Sequence, residues 1–124
     1  MPDAIAPDGS EIYFHELGAV RATLVEVVLV QGKVSRPVRH GTVEEIWYFL
    51  AGTGRVWMRS PDGASTRTLP VGPASTVTIP KDWDFQFSAD AGAALRFLCF
   101  TSPPWPGDDE AVRVAEGGLG RPTV

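Results

Sequence analysis

Glycine and proline punctuate this chain at short intervals, and their spacing limits the folds that it can adopt. The 124 residues include 13 glycines and 11 prolines, and the segments between them are rich in valine, threonine and aromatic residues, which favour β-strands. Turn signals at residues 52–54, 61–63 and 90–92 are typical of links between antiparallel strands. The spacing predicts an all-β antiparallel sandwich or barrel. The predicted strands are 11–15, 20–30, 34–40, 44–50, 54–60, 65–69, 75–79, 84–88 and 94–101.

Length and charge narrow the function classes. A chain of 124 residues is long enough for one domain with its own core and too short for two, so we predict a single domain over 1–124. Its barrel would span about 11–101, and a proline-rich tail would follow at 102–124. A formal net charge of −4 without a basic run argues against nucleic-acid and anionic-membrane partners. No signal-peptide pattern or long apolar run occurs, and Cys99 has no second cysteine to pair with, so we expect a cytoplasmic protein.

Apolar residues follow helical spacing nowhere except in one candidate turn near residues 110–115. The most informative segment is residues 40–52, in which His40 and an acidic pair precede an apolar strand. Because strand side chains alternate between faces, Glu44 and Glu45 point in opposite directions and only one can face the barrel interior. A histidine and a carboxylate that meet there could form a metal site or an acid–base pair.

These residues resemble the first sequence motif of the cupin superfamily. Members of this superfamily are small β-barrels of the double-stranded β-helix type. That motif has two histidines one residue apart, then a glutamate, then a glycine. His40 matches the second histidine, Glu45 the glutamate and Gly52 the glycine. Val38 stands where the first histidine would be.

The second cupin motif is matched less completely. Pro80 matches its proline, whereas Asp82 stands in for the glycine and Phe85 for the histidine. The resemblance covers about residues 20–101, and the proline-rich tail is similar to one found in some bacterial single-domain cupins. It implies an antiparallel jelly-roll barrel.

The resemblance also implies what the site could do. Metal-binding cupins usually hold their ion with three histidines and a glutamate, of which this chain keeps His40 and Glu45. We therefore predict metal-independent acid–base chemistry at these two residues, of the isomerase, cyclase, dehydratase or lyase type, which suits the unperturbed histidine pKa of about 6.5. One alternative is a metal-dependent oxygenase or lyase, in which His40 and Glu45 bind a divalent metal with a further ligand such as His15. Another is a non-catalytic protein that binds a small molecule.

A small organic molecule would occupy an apolar, water-poor pocket around His40. The predicted lining residues are Val38, Trp47, Phe49, Trp57, Phe85 and Phe87. Arg36 would bind a carboxylate or carbonyl group at the barrel mouth. Cys99, within an apolar strand, is predicted to be a small core residue.

Two predicted strands are apolar on both faces, at 24–30 and 44–50. A solvated outer face would be polar, so another surface must cover these strands, and we predict a homodimer. In the tail, Trp105 is expected to anchor the chain on the barrel, and residues 117–124 are expected to be disordered.

Overall fold

The structure, a computed structural model, describes residues 1–124 and is built from short β-strands with no α-helix. All nine predicted strands are present, although 20–30 shortens to Thr23–Leu29 and 34–40 shortens to Val38–His40. No helix is long and apolar enough to span a bilayer. The eleven strands are β1 (Ala4–Ile5), β2 (Glu11–Glu16), β3 (Thr23–Leu29), β4 (Val38–His40), β5 (Glu44–Ala51), β6 (Gly54–Arg59), β7 (Thr66–Val71), β8 (Thr76–Ile79), β9 (Asp84–Ala89), β10 (Leu95–Ser102) and β11 (Ala111–Arg113).

The strands form two antiparallel sheets that face each other. One has the order β1-β2-β3-β10-β5-β8 and the other β11-β4-β9-β6-β7. The predicted all-β, antiparallel jelly-roll architecture is therefore confirmed. Strand β10 lies between β3 and β5, where Cys99 pairs with Trp47 and Thr101 pairs with Glu45.

The core lies between the sheets because every second side chain of the central strands points inward. Along β5 the odd-numbered residues are buried and the even-numbered ones exposed up to Leu50, which is the alternation of a strand with one covered face. Aromatic rings fill the centre, with Trp47 stacked on Phe97 at a centroid distance of 4.4 Å and edge-on to Phe87 at 5.2 Å. Such pairs add to the stabilisation that burial alone provides.

The first part of the tail adds a strand, β11, to the smaller sheet. The helical turn expected near 110–115 is wrong, because a 3₁₀ turn at Asp108–Glu110 leads directly into β11, which pairs with β4. Glu110 is buried, and its Oε2 accepts hydrogen bonds from the backbone N–H groups of Thr42 and Val43 at 2.6 and 2.7 Å. The tail thereby fixes the turn that follows His40.

The expectation that residues 117–124 are disordered is also wrong. Gln86, fully buried on β9, donates to the carbonyl of Gly120 at 2.8 Å and accepts from the N–H of Leu119 at 2.9 Å. Thr123 and Val34 exchange two further hydrogen bonds. The last eight residues are ordered because buried polar groups of the barrel need these partners.

Candidate functional site

His40 and Glu45 meet at the end of the barrel where β4 stops and β5 starts. The His40 Nδ1 and Glu45 Oε2 atoms lie 3.8 Å apart, and each side chain is only 7% exposed. This separation is longer than a hydrogen bond. It is nevertheless short enough for strong electrostatic coupling in an environment of low polarity.

Two hydrogen bonds fix the Glu45 side chain. Its Oε1 accepts from the indole Nε1 of Trp47 at 2.9 Å, and its Oε2 accepts from the Thr101 hydroxyl at 3.0 Å. The indole is a donor only, so Oε1 is the acceptor in this contact. Glu44 is exposed, and Glu45 is therefore the inward member of the acidic pair.

The imidazole of His40 is wedged between two aromatic rings. Phe85 and Trp105 each contact it edge-on at a centroid distance of 5.0 Å. Its Nδ1 is buried and forms no hydrogen bond within the protein, which is rare for a buried polar atom. The Glu45 carboxyl group, 3.8 Å from this nitrogen, can stabilise a proton on it.

These side chains lie in the wall of a cavity of about 290 Å³. Its lining is mainly hydrophobic, and it includes Val38 and Trp47. The residues that line it are Ala4, Ile5, Ala6, Pro7, Asp8, Ser10, Ile12, Phe14, Leu17, Thr23, Val25, Val27, Val38, His40, Glu45, Trp47, Phe97, Cys99, Thr101, Trp105, Gly107, Asp108 and Ala111. An apolar cavity with a few convergent polar groups is the usual form of a small-molecule site.

Asp8 adds a second carboxyl group to this cavity. Its Oδ1 accepts hydrogen bonds from the N–H and the hydroxyl of Ser10 at 2.9 and 2.6 Å, and its Oδ2 forms none. Burial raises the pKa of Asp8 above its ordinary value; the Ser10 hydrogen bonds oppose the shift, and the Glu45 charge adds to it.

Three of the predicted lining residues belong to the core instead. Phe49, Phe85 and Phe87 are 0–1% exposed and pack among the aromatic rings of the barrel centre. They share the inward face with Trp47 or Val38, but they do not border the cavity. Strand alternation identifies the face of a residue but not its depth along the barrel, so it could not separate these residues from the lining.

The predictions for Trp57 and Arg36 are corrected as well. Val56 and Met58 point into the core, so Trp57 faces the outside of the smaller sheet, where Gly118 of the tail packs against its indole. Arg36 lies outside the cavity lining. Its guanidinium donates to the carbonyl of Pro7 at 3.4 Å and its backbone N–H donates to that of Asp8 at 2.9 Å, so Arg36 positions the segment that carries Asp8.

Several cavity residues escaped the sequence-based prediction. Phe97, Cys99 and Thr101 alternate along β10 and face the cavity, a pattern that the sequence contains. Burial, together with the nearby Glu45 carboxylate, raises the pKa of Cys99 well above its usual value, which argues against a nucleophilic thiol. Asp8 carries no comparable signal, because a long-range contact of the N-terminal segment brings it in.

The residues present do not fit a tightly held metal ion. No group of three or more histidine, cysteine, aspartate or glutamate side chains converges so as to hold one. The alternative third ligand, His15, lies outside the cavity, 3.5 Å from Glu26. His40 and Glu45 alone are fewer than the three protein ligands of a typical catalytic metal site.

Comparison with solved structures identifies the architecture. No protein-family model matches the chain, and no curated protein matches it. Oxalate decarboxylase of Bacillus subtilis, a protein with Mn(II) centres, superposes with a TM-score of 0.74 at 17% identity, over 89% of this chain and 29% of its own. The pro-11S globulin of pumpkin gives a TM-score of 0.73 at 19% identity, over 90% of this chain and 29% of its own. The chain has the cupin fold.

A third cupin-fold neighbour is the capsular polysaccharide assembling protein CapF of Staphylococcus aureus. It superposes with a TM-score of 0.73 at 11% identity, over 92% of this chain and 34% of its own. The chain thus spans only about a third of the length of these neighbours or less. They include enzymes and a globulin, so the shared fold leaves the chemistry to be argued from the site.

Proposed function

We propose that this protein binds a small organic molecule in the barrel cavity and moves a proton on it with His40 and Glu45. The observation that carries the proposal is the 3.8 Å approach of two nearly buried, oppositely chargeable side chains in the wall of an apolar cavity. Low polarity strengthens their coupling and limits the access of water to a reactive intermediate.

In this proposal, His40 is the proton carrier and Glu45 stabilises its charged form. A C–H proton next to a carbonyl group of the ligand passes to the imidazole, and the electron pair of the broken C–H bond moves into the carbonyl as an enolate. The imidazolium then lies beside the carboxylate, which Trp47 and Thr101 hold in place. Returning the proton to a different atom of the ligand completes an isomerisation or cyclisation without an oxidant or a second substrate.

The cavity does not favour the reaction after which one structural neighbour, oxalate decarboxylase, is named. Oxalate is a dianion, whereas the cavity lining contains Asp8, Glu45 and Asp108 and neither lysine nor arginine. An anion placed there would lack a compensating charge. We therefore propose isomerase, cyclase, dehydratase or lyase chemistry and not oxalate decarboxylation.

Deuterium exchange tests this proposal without knowledge of the natural substrate. β-Tetralone is a neutral ketone with acidic C–H groups next to its carbonyl. In deuterium oxide at neutral pH, we expect the protein to accelerate loss of these proton signals in NMR spectra above the buffer rate. We expect His40→Gln and Glu45→Gln to reduce the acceleration about 100-fold or more, the usual scale of general acid–base catalysis.

The chain offers a matched control, because His15 is the second of only two histidines and lies outside the cavity. His15→Gln should exchange the ketone as fast as the wild type. Equal rates in the wild type and His40→Gln would contradict the proposal. A rate that falls after treatment with a chelator and recovers with a divalent ion would favour the metal-dependent alternative. Binding of β-tetralone without exchange would favour a non-catalytic binding protein.

A further inference from the structure

We propose that the natural ligand is an uncharged, mainly apolar small molecule that places one hydroxyl or carbonyl group at the deep end of the cavity. The inference rests on the cavity that the proposed function uses. It deduces the chemical class of the ligand from the charge and the burial of the residues that line this cavity. It does not depend on whether His40 performs a reaction, so it can be tested by binding alone.

The charge of the lining argues against an anionic ligand. Asp8, Glu45 and Asp108 border the cavity, and no lysine or arginine does. Arg36, the cation predicted for the barrel mouth, lies outside the lining and donates to the carbonyl of Pro7. A carboxylate or phosphate would therefore leave water for a site that offers negative charge and no strong counter-charge.

The groups at the site also argue against a cationic ligand. An ammonium ion that leaves water needs an ionised carboxylate as its partner. Both oxygens of Glu45 already accept hydrogen bonds, from Trp47 and Thr101. Burial raises the pKa of Asp8, so the surroundings of this carboxyl group disfavour the charged form that an ammonium ion would need as its partner. The Oδ2 atom of Asp8 has no protein partner and can accept a hydrogen bond from a ligand hydroxyl.

Four polar lining residues are deeply buried, although Asp108 of the lining is exposed. Ser10, His40, Glu45 and Thr101 are 1–6% exposed, so these polar groups lie at the buried end. Three apolar lining residues are half exposed, with Ile5 at 57%, Phe14 at 47% and Leu17 at 51%.

These three side chains form the rim. A ligand with its polar group inward would cover them with its apolar part and so remove that surface from water, at about 25 cal/mol per Å² of area. The cavity of about 290 Å³ is at the lower end of the range for small-molecule sites. It therefore suits a compact ligand with one or two rings or a short chain.

A matched series of probes tests the ligand class. Phenethyl alcohol, phenylacetate and phenethylamine share an aromatic ring and differ in the charge of the polar end. Trp47 and Trp105 line the cavity, so tryptophan fluorescence and NMR titrations can report binding. We expect the alcohol to bind at least about 10-fold more tightly than either ion, because desolvating an unpaired charge costs several kcal/mol.

The adjacent glutamates provide the mutational test. Glu45→Gln removes a negative charge from the cavity wall. The ratio of the phenylacetate Kd to the phenethyl alcohol Kd should then fall about 10-fold, as expected for a charge a few ångströms from the ligand. Glu44→Gln removes the same charge from the exposed face and should leave the preference unchanged.

Tighter binding of phenylacetate or phenethylamine than of the alcohol would overturn the inference. So would the absence of binding by all three probes up to their solubility limits. Failure of β-tetralone exchange while the alcohol still binds would overturn the proposed reaction and leave the ligand class standing.

Discussion

Asp8 is a carboxyl group of the cavity wall whose pKa is shifted by its surroundings. Burial raises its pKa above the ordinary value of 3.8, so the folded state binds this proton more tightly than the unfolded state does. The stabilisation from protonated Asp8 is fully present below pH 3.8 and is lost as the pH rises through the folded-state pKa. At neutral pH an ionised Asp8 therefore lowers the free energy of unfolding.

Asp8→Asn should remove this penalty. The amide oxygen can accept the same two hydrogen bonds from Ser10, and the variant carries no buried charge. We expect it to be at least as stable as the wild type at neutral pH, with a difference that disappears as the pH falls to about 4. Urea denaturation across this pH range measures the difference.

Asp62 is the matched control for that titration. It lies in an exposed loop, and the hydroxyl of Ser60 and the N–H of Ala64 lower its pKa. The stabilisation from ionised Asp62 is present above its ordinary pKa and is lost in acid. Asp62→Asn should therefore lower the free energy of unfolding at neutral pH, whereas Asp8→Asn should not. Loss of stability in Asp8→Asn at neutral pH would show that the Asp8 carboxylate is stabilising. It would contradict the statement that ionised Asp8 lowers the free energy of unfolding.

At the same scale, strand alternation explains which site residues could be predicted from the sequence. The rule placed Glu45, Trp47 and Val38 on the inward faces, and it applies equally to Thr101. It excludes Trp57, whose neighbours on β6 face the core. The rule does not apply to Asp8, because this residue lies in an irregular segment whose position depends on contacts with distant parts of the chain.

The element that most directly supports the site is the tail segment that ends in β11. Glu110 accepts hydrogen bonds from Thr42 and Val43 next to His40, and β11 pairs with the strand that carries His40. Burial alone would raise the pKa of Glu110, but these backbone donors outweigh burial and lower it below its ordinary value of 4.5. Its stabilisation is present above pH 4.5 and is lost as the pH falls through the folded-state pKa.

Glu110→Gln should therefore destabilise the protein by about 1–3 kcal/mol at neutral pH, since the backbone N–H groups of Thr42 and Val43 lose their charged acceptor. The difference from the wild type should shrink in acid, because the wild-type carboxylate is protonated there. Urea denaturation at several pH values measures both effects. Asp109→Asn is the control: this neighbour is exposed, and its substitution should change the free energy of unfolding by less than about 0.5 kcal/mol. Equal losses in the two variants would show that the Glu110 contacts contribute little.

For the whole molecule, the spacing of turns and strands was enough to predict the class of fold, because it reflects local preferences of glycine, proline and β-branched residues. The β1 and β11 strands were missed because each is only two or three residues long and forms only where a strand distant in the sequence or in a separate segment offers an edge to pair with. Residues 117–124 appeared disordered for a related reason. Their order depends on Gln86, about thirty residues away and already buried in the barrel.

The outer face of the larger sheet exposes more apolar surface than a solvated sheet normally does. Ile46, Tyr48, Leu50 and Phe100 are 41–48% exposed. They form one patch, because Ile46 pairs directly with Phe100 across β5 and β10. A contiguous patch of this kind is typical of an interaction surface. We propose that a second copy of the chain covers it in a homodimer, which would bury an apolar face of each protomer against the same face of the other.

Replacing Tyr48 and Phe100 with lysine should convert a dimer to a monomer, because charges at the centre of an apolar interface cannot be compensated there. Light scattering at micromolar concentration measures the mass. Val112→Lys is the control, because Val112 is 53% exposed but lies on β11 of the other sheet, and its substitution should leave the dimer intact. A monomeric wild type would rule out the homodimer. A dimer that persists in the double variant with a cooperative unfolding transition would place the interface on another face of the barrel.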